Sequence, residues 1–384
     1  MSSEGIPKFS KMEMDRRHLA AASMCLEAGV DVLLIAGHSG SRRHNQADVH
    51  YLTQTALCHD SFLLVQPTKE AILYVTAYNH FANAVEIATH AEVRRISRTP
   101  YVEISKELKM RGLDKAKIGV VGPIAYQTVD GLRAALPDAT WKDVTAAYRN
   151  LRTRKSAEEL EFQKKAAQGC DAVMAAIRDA IRPGVEEHEL LLICESVAWG
   201  SGCTPNFLYL NSTSMKDSTS CVPNQHLSRR KLCSGDVINT ELTVSFGMYS
   251  AQLLRPFFLG EPTTEYAKLY EVLKRVHDRL AAAMRTGTTL TSLYEITLEF
   301  RDNGYTTVDG ILHGFAVDLL PPRLAQGLIA PAPDVRLERD TTIVLQPNPT
   351  SLDERMGMQL GELGLITDQG FVSMHASPAE VSYC

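Results

Sequence analysis

The sequence predicts an α/β protein in two domains, a small one over residues 1–152 and a larger one over residues 153–384. Three observations predict it. Apolar, strand-like runs alternate with helix-like segments through the first domain. Ser156, with Glu159 three residues on, writes a capping box at the head of a long helix and marks the join. Beyond the join, two helices and a group of strands are followed by two more helices and more strands, which suits a domain of two similar halves.

The elements follow in order. Residues 13–29 form an amphipathic helix ending at Gly29, and Val30–Ile35 a strand. Asp48–Thr53 is predicted as a second short strand. Phe62–Val65 and Ala71–Val75 make a hairpin, Val102–Gly112 a helix and Ile118–Val121 a strand. After Ser156 a helix runs to about Ile181, and Glu187–Trp199 is the next. Phe207–Leu210 is apolar, and 211–217 is a polar loop. Helices over 266–285 and 291–303 precede Leu312-His313-Gly314, a Pro- and Leu-rich loop over 319–333, and strands at 342–345, 357–363 and 365–367.

Composition narrows the class. Of 384 residues, 45% are hydrophobic and 22% charged, as in an ordinary globular protein. A net charge of −5 without long like-charge runs points away from nucleic acid and acidic membranes as partners. Neither a signal peptide nor a membrane span is expected. The eight cysteines are scattered without a CxxC pair, so reduced thiols and a cytoplasmic location are expected.

Gly235–Gly260, GDVINTELTVSFGMYSAQLLRPFFLG, reads as two strands around a turn at Phe246-Gly247-Met248. Glu241 and Gln252 fall on opposite arms, where two polar side chains can enter one pocket. Here the chain resembles the pita-bread family of creatinase, aminopeptidase P, prolidase and methionine aminopeptidase. Gly235-Asp236, Tyr249, Arg255 and Gly260 match that family's hairpin motifs, the R-x-x-K-S-x-x-E join matches the start of its catalytic domain, and helix, strand, then V-x-YLT matches its N-terminal domain. The resemblance implies a small creatinase-like α/β domain followed by a pita-bread α/β domain, in a homodimer.

In the metal-dependent members, two aspartates, a histidine and two glutamates hold two ions. Carried over by residue, these positions are Glu241, Gln252, His313, Gln346 and Gly361. Slipping the last by one residue would place Glu362 there, but turn it to the other face. Asn224 takes the place of a proton-transfer histidine, with His226 two residues on, and Leu320 replaces another histidine. On these substitutions no metal and no cofactor is expected.

The sequence therefore predicts a metal-independent, creatinase-like enzyme acting on a small polar metabolite at a C–N bond, with a non-catalytic binding or scaffold protein as the alternative and a metal-dependent Xaa-Pro peptidase behind both. His313 is the first candidate for proton transfer, with Glu241 raising its pKa by opposing charge, and His226 the second. Gln252, Gln346 and Asn224 are candidate substrate-binding amides, or else sheet hydrogen-bonding groups. Tyr249 is a candidate binding group or a packing residue. Arg43 is a candidate contributed across the dimer, or else a solvated loop charge. Cys221 reads as an inert thiol, and as a nucleophile only if His226 lies beside it.

Overall fold

Gly247 and Met248 both take positive φ, 53° and 75°, and so close a two-residue turn whose twist matches its flanking strands. That turn fixes the hairpin around which the larger unit is built. The structure is a computed structural model and describes residues 5–39, 43–226 and 228–384. The side chains of Arg43 and His44 lie outside the described set, so the Arg43 candidate does too. The chain divides between Arg152 and Thr153 into two compact units. No helix among the described residues is long and apolar enough to cross a membrane.

In the first unit, β1 (Val32–Gly37), β2 (Ser61–Val65), β3 (Ala71–Val75), β4 (Ala91–Arg95), β5 (Lys117–Val121) and β6 (Thr140–Asp143) form a six-stranded mixed sheet in the order β4-β3-β2-β1-β5-β6. Helices α1 (Lys11–Ala28), α2 (Ala47–Thr53), α3 (Phe81–Ile87), α4 (Pro100–Met110), α5 (Tyr126–Ala135) and α6 (Thr145–Asn150) accompany it. Gly29 ends α1 with φ 63°, the left-handed cap that glycine adopts without cost.

Asp48–Thr53 is helical, not the strand its β-branched and aromatic residues suggest. The whole of α2 is buried, and tertiary contacts override propensity there. The Asp48 carboxylate, in the first turn, receives Arg149 and Arg152, and the Tyr148 hydroxyl donates to the Asp48 carbonyl.

The second unit opens with α7 (Ala157–Ala180). Its capping box is complete: Ser156 accepts from the Glu159 amide while the Glu159 side chain accepts from the Ser156 amide. Then come α8 (Glu187–Gly200), β7 (Thr204–Ser214), β8 (Asp236–Phe246), β9 (Tyr249–Leu254), β10 (Phe257–Leu259), α9 (Thr264–Ala283), α10 (Leu290–Asp302), β11 (Tyr305–Thr307), β12 (Leu312–Phe315), β13 (Leu319–Leu324), β14 (Thr342–Leu345), β15 (Pro349–Ser351), β16 (Gly361–Ile366), β17 (Phe371–Ser373) and β18 (Ser382–Tyr383). Among the described residues ten strands join in one sheet. Its central path runs β13-β12-β14-β16-β9-β8, with β7 also on β8. One apolar core packs α7 and α8, and a second packs α9 and α10, so each helix pair has its own apolar ground.

Three expectations need correction here. Asn211–Ser214 continues β7, paired with β8 through Asp236, rather than starting a loop. Leu319–Leu324 is a strand at the sheet's edge, where prolines without an amide proton are tolerated, and its burial alternates. The last long strand begins at Gly361, not Gly357.

Candidate functional site

The central strands carry the site. Gln252 stands opposite Thr243, and Glu241 lies two residues along β8 on the same face. The Gln252 Nε2 donates to Glu241 Oε1 at 2.8 Å and approaches Gln346 Oε1 at 3.4 Å. Gln346 follows β14, anchored by its amide on the Ile311 carbonyl, and its Nε2 donates to Asp309 Oδ2 at 3.3 Å and to the Gly310 carbonyl at 3.1 Å. Two carboxyl groups, Glu241 and Asp309, are thus joined through two carboxamides. Gln252 and Gln346 are both buried.

His313 lies on β12 opposite Val344. Its ring is buried, with Nδ1 at 3.1 Å from the Gly314 carbonyl, so that nitrogen carries the proton and donates; the side chain also meets Gln346. Gly314 is required by close approach. A Cβ there would lie 2.3 Å from the Pro321 carbonyl oxygen as β13 crosses over it.

The electrostatics reverse the expected roles. Burial pushes Glu241 up to about 7, the Asp309 charge adds to the rise, and the Gln252 hydrogen bond partly opposes it. Burial likewise raises Asp309 from its ordinary value, against the hydrogen bonds from Gly310 and Gln346. His313 goes the other way, down to about 4, chiefly through burial. Glu241 therefore does not lift His313 as expected. The group poised near neutral pH is the carboxyl, and the imidazole stays neutral.

Gly361 and Glu362 settle the register question. Gly361 pairs with Leu254 and Glu362 with Leu253, so Gly361 shares the face of Gln252 and Glu362 faces the reverse side. There Glu362 accepts from buried Arg255. No side chain fits at 361, since a Cβ would lie 2.1 Å from the Leu345 carbonyl oxygen and 2.7 Å from the Gln346 Cα. The backbone of β14 fills the room a ligand side chain would need.

Other candidates fall away from the cluster. Tyr249 is on the face opposite Gln252, buried, and its hydroxyl donates to Glu159 Oε1 at 2.6 Å, which ties β9 to α7. Asn224 and His226 are exposed, and the Asn224 Oδ1 accepts from the His226 amide at 3.0 Å in a local turn. The Cys221 thiol is raised by burial and is buried, as an inert thiol would be. Asp309 was not foreseen. Its one signal in the sequence is an acid–glycine pair four residues before His313.

A two-metal centre of the implied kind needs about five charged or imidazole donors. Gln252 and Gln346 are neutral, Gly361 offers none, and Glu362 is committed to Arg255. Among the described residues, the only three His, Cys, Asp or Glu side chains with ligand atoms within 4.8 Å of one another lie in the first unit. The donor set does not fit a two-metal centre.

Known proteins share this fold. Residues 161–368 match the model of metallopeptidase family M24, and residues 17–154 match the creatinase/prolidase N-terminal domain. An Xaa-Pro dipeptidase from Pyrococcus furiosus is 24% identical over 331 residues, covering 84% of this chain and 89% of its own. A creatinase from Bacillus sp. is 27% identical over 303 residues, covering 73% and 69%. In fold, an X-Pro aminopeptidase from Thermotoga maritima superposes with a TM-score of 0.82 at 18% identity, over 97% of this chain and 99% of that one. A prolidase from Pyrococcus horikoshii gives a TM-score of 0.81 at 19% identity, over 95% and 99%.

These relatives overturn the expectation of a metal-independent enzyme acting on a small polar metabolite, because their names are mostly those of peptidases and the family is one of metallopeptidases. None of them favours a non-catalytic binding or scaffold protein. Substituted ligands at single positions describe one donor set; they do not assign a reaction.

Proposed function

Because the chain belongs to metallopeptidase family M24, we propose that it is a hydrolase of dipeptide-sized substrates, with Glu241 as the group that moves the proton. The observation that carries this reading is the Glu241 carboxyl held at 2.8 Å by Gln252 and linked through Gln346 to Asp309, a setting that pushes its pKa up to about 7. A carboxyl near the working pH is suited to taking and returning a proton. The relatives named Xaa-Pro dipeptidase support a short peptide as substrate.

In the proposed reaction, ionised Glu241 takes a proton from water as the water oxygen bonds to the peptide carbonyl carbon. The C–N bond then breaks, and the same proton passes from Glu241 to the leaving nitrogen. Gln252 orients the carboxylate, and Asp309 keeps its affinity for the proton high. Neutral His313, with Nδ1 engaged by Gly314, accepts a hydrogen bond rather than donating a proton.

A panel of Xaa-Pro and other dipeptides, assayed with and without added Mn2+, Co2+ or Zn2+, tests the reading. Turnover that falls about 100- to 10,000-fold in Glu241→Gln supports it. No hydrolysis of any dipeptide under either condition contradicts it. The homodimer expected from the resemblance, and a cytoplasmic location supported by eight free cysteines, belong to the same proposal. Light scattering on the purified chain tests the first.

A further inference from the structure

Register in the first unit brings three metal-ligating side chains together. Ser61 at the start of β2 pairs with Val75 at the end of β3, so the chain entering one strand lies beside the chain leaving the other. Cys58 and His59 are on the entering side, and His80 closes the short turn Tyr78–His80 on the leaving side. The entering loop is pinned at several points. Gln46 Nε2 donates to the His59 carbonyl at 3.0 Å, Thr76 Oγ1 donates to the Asp60 carbonyl at 2.7 Å, and Asp60 Oδ1 accepts from the Ser39 amide at 2.6 Å.

The ligand atoms of Cys58, His59 and His80 all lie within 4.8 Å of one another. The Cys58 Sγ stands 3.4 Å from His80 Nε2. In a tetrahedral zinc site, bonds of about 2.3 Å to sulfur and 2.0–2.1 Å to nitrogen place those two ligands about 3.5 Å apart. The observed separation is therefore one edge of such a site. The His59 and His80 rings have centroids 5.2 Å apart, and the His59 ligand atom lies within the same 4.8 Å group.

We propose that Cys58, His59 and His80 form a metal site of the zinc class within the N-terminal unit. One thiolate and two imidazoles select a borderline-soft ion over magnesium or calcium. Three protein ligands leave one tetrahedral position for water or a small exogenous ligand. The thiol must lose its proton on binding, so affinity rises with pH.

Titration of the tag-free full chain with Co2+, followed by displacement with Zn2+, tests the site. The expected result is a sulfur-to-cobalt charge-transfer band in the near ultraviolet that Zn2+ removes. Cys58→Ser abolishes the band, while His59→Ala and His80→Ala weaken Zn2+ binding by more than the ~10–100-fold that loss of an outer-shell partner costs. Cys58 and His59 are exposed, so their variants keep the fold, checked by circular dichroism of the metal-free proteins. A wild-type spectrum without the thiolate band, or a band that persists at unchanged affinity in Cys58→Ser, overturns the proposal.

Discussion

Arg255 donates to Glu362 across neighbouring strands, on the face of the sheet turned away from Glu241 and Gln252. The guanidinium is buried, and it also serves the Leu254, Gly361 and Ser377 carbonyls. Removing the carboxylate leaves a buried charge without its counter-ion. Glu362→Ala should cost about 3–5 kcal/mol of stability, and the double replacement Arg255→Met, Glu362→Leu clearly less than the sum of the single changes. Urea unfolding of the three variants measures this. A Glu362→Ala variant within about 0.5 kcal/mol of wild type would show that the pair does not hold the sheet.

Gly361 sits where β14 leaves no space for a Cβ. Gly361→Ala should therefore lower stability by about 1–3 kcal/mol through overpacking, and Gly361→Glu should fold worse still rather than restore a ligand. Denaturation midpoints and metal content after dialysis check both. A well-folded Gly361→Glu that gains tightly bound metal would contradict the geometry.

Tyr249 links β9 to α7 through Glu159. Tyr249→Phe should lose about 1 kcal/mol of stability, the usual net value of such a bond, and leave KM unchanged. A rise in KM without a fall in stability would return Tyr249 to the substrate side.

Stability should carry the mark of Glu241. Its folded-state pKa, about 7, lies above the ordinary value of 4.5, so between those pH values the folded state holds more proton than the unfolded chain. Stability contributed by this group is full below about pH 4.5 and is lost as pH rises towards 7, by on the order of 3 kcal/mol in all. His313 works oppositely. Its folded pKa, about 4 against 6.5, costs stability as pH falls from 6.5 to 4. The two slopes offset each other in the wild type, so the difference between wild type and Glu241→Gln isolates the carboxyl. That difference should favour the variant increasingly from pH 5 to 8 in urea unfolding. A difference independent of pH would mean that Glu241 titrates normally.

Much of this was legible in the sequence because it depends on local rules. The capping box at Ser156, the cap at Gly29 and the turn at Gly247-Met248 are set by residue type at fixed spacing. The face of Glu362 followed from the two-residue period of a strand. Three things were not legible. Asp48–Thr53 has strand-like residues, but burial and the two arginines on Asp48 decide for a helix. Leu319–Leu324 hides a strand behind two prolines that only an edge position tolerates. Asp309 is a loop residue linked to Glu241 through Gln346 and Gln252, a connection made by tertiary packing that the acid–glycine pair before His313 does not specify. The same burial that assembles the cluster inverts the expected pKa values of Glu241 and His313.

Proton transfer by Glu241 is read out by the pH dependence of kcat/KM for a cleaved dipeptide, in wild type and Glu241→Gln. The wild type should gain activity as pH rises, with a limb near pH 7 that reports ionisation of Glu241. The variant should lose that limb and fall about 100- to 10,000-fold. A variant that keeps wild-type turnover, or the same limb at the same pH, would contradict the assignment of proton transfer to Glu241.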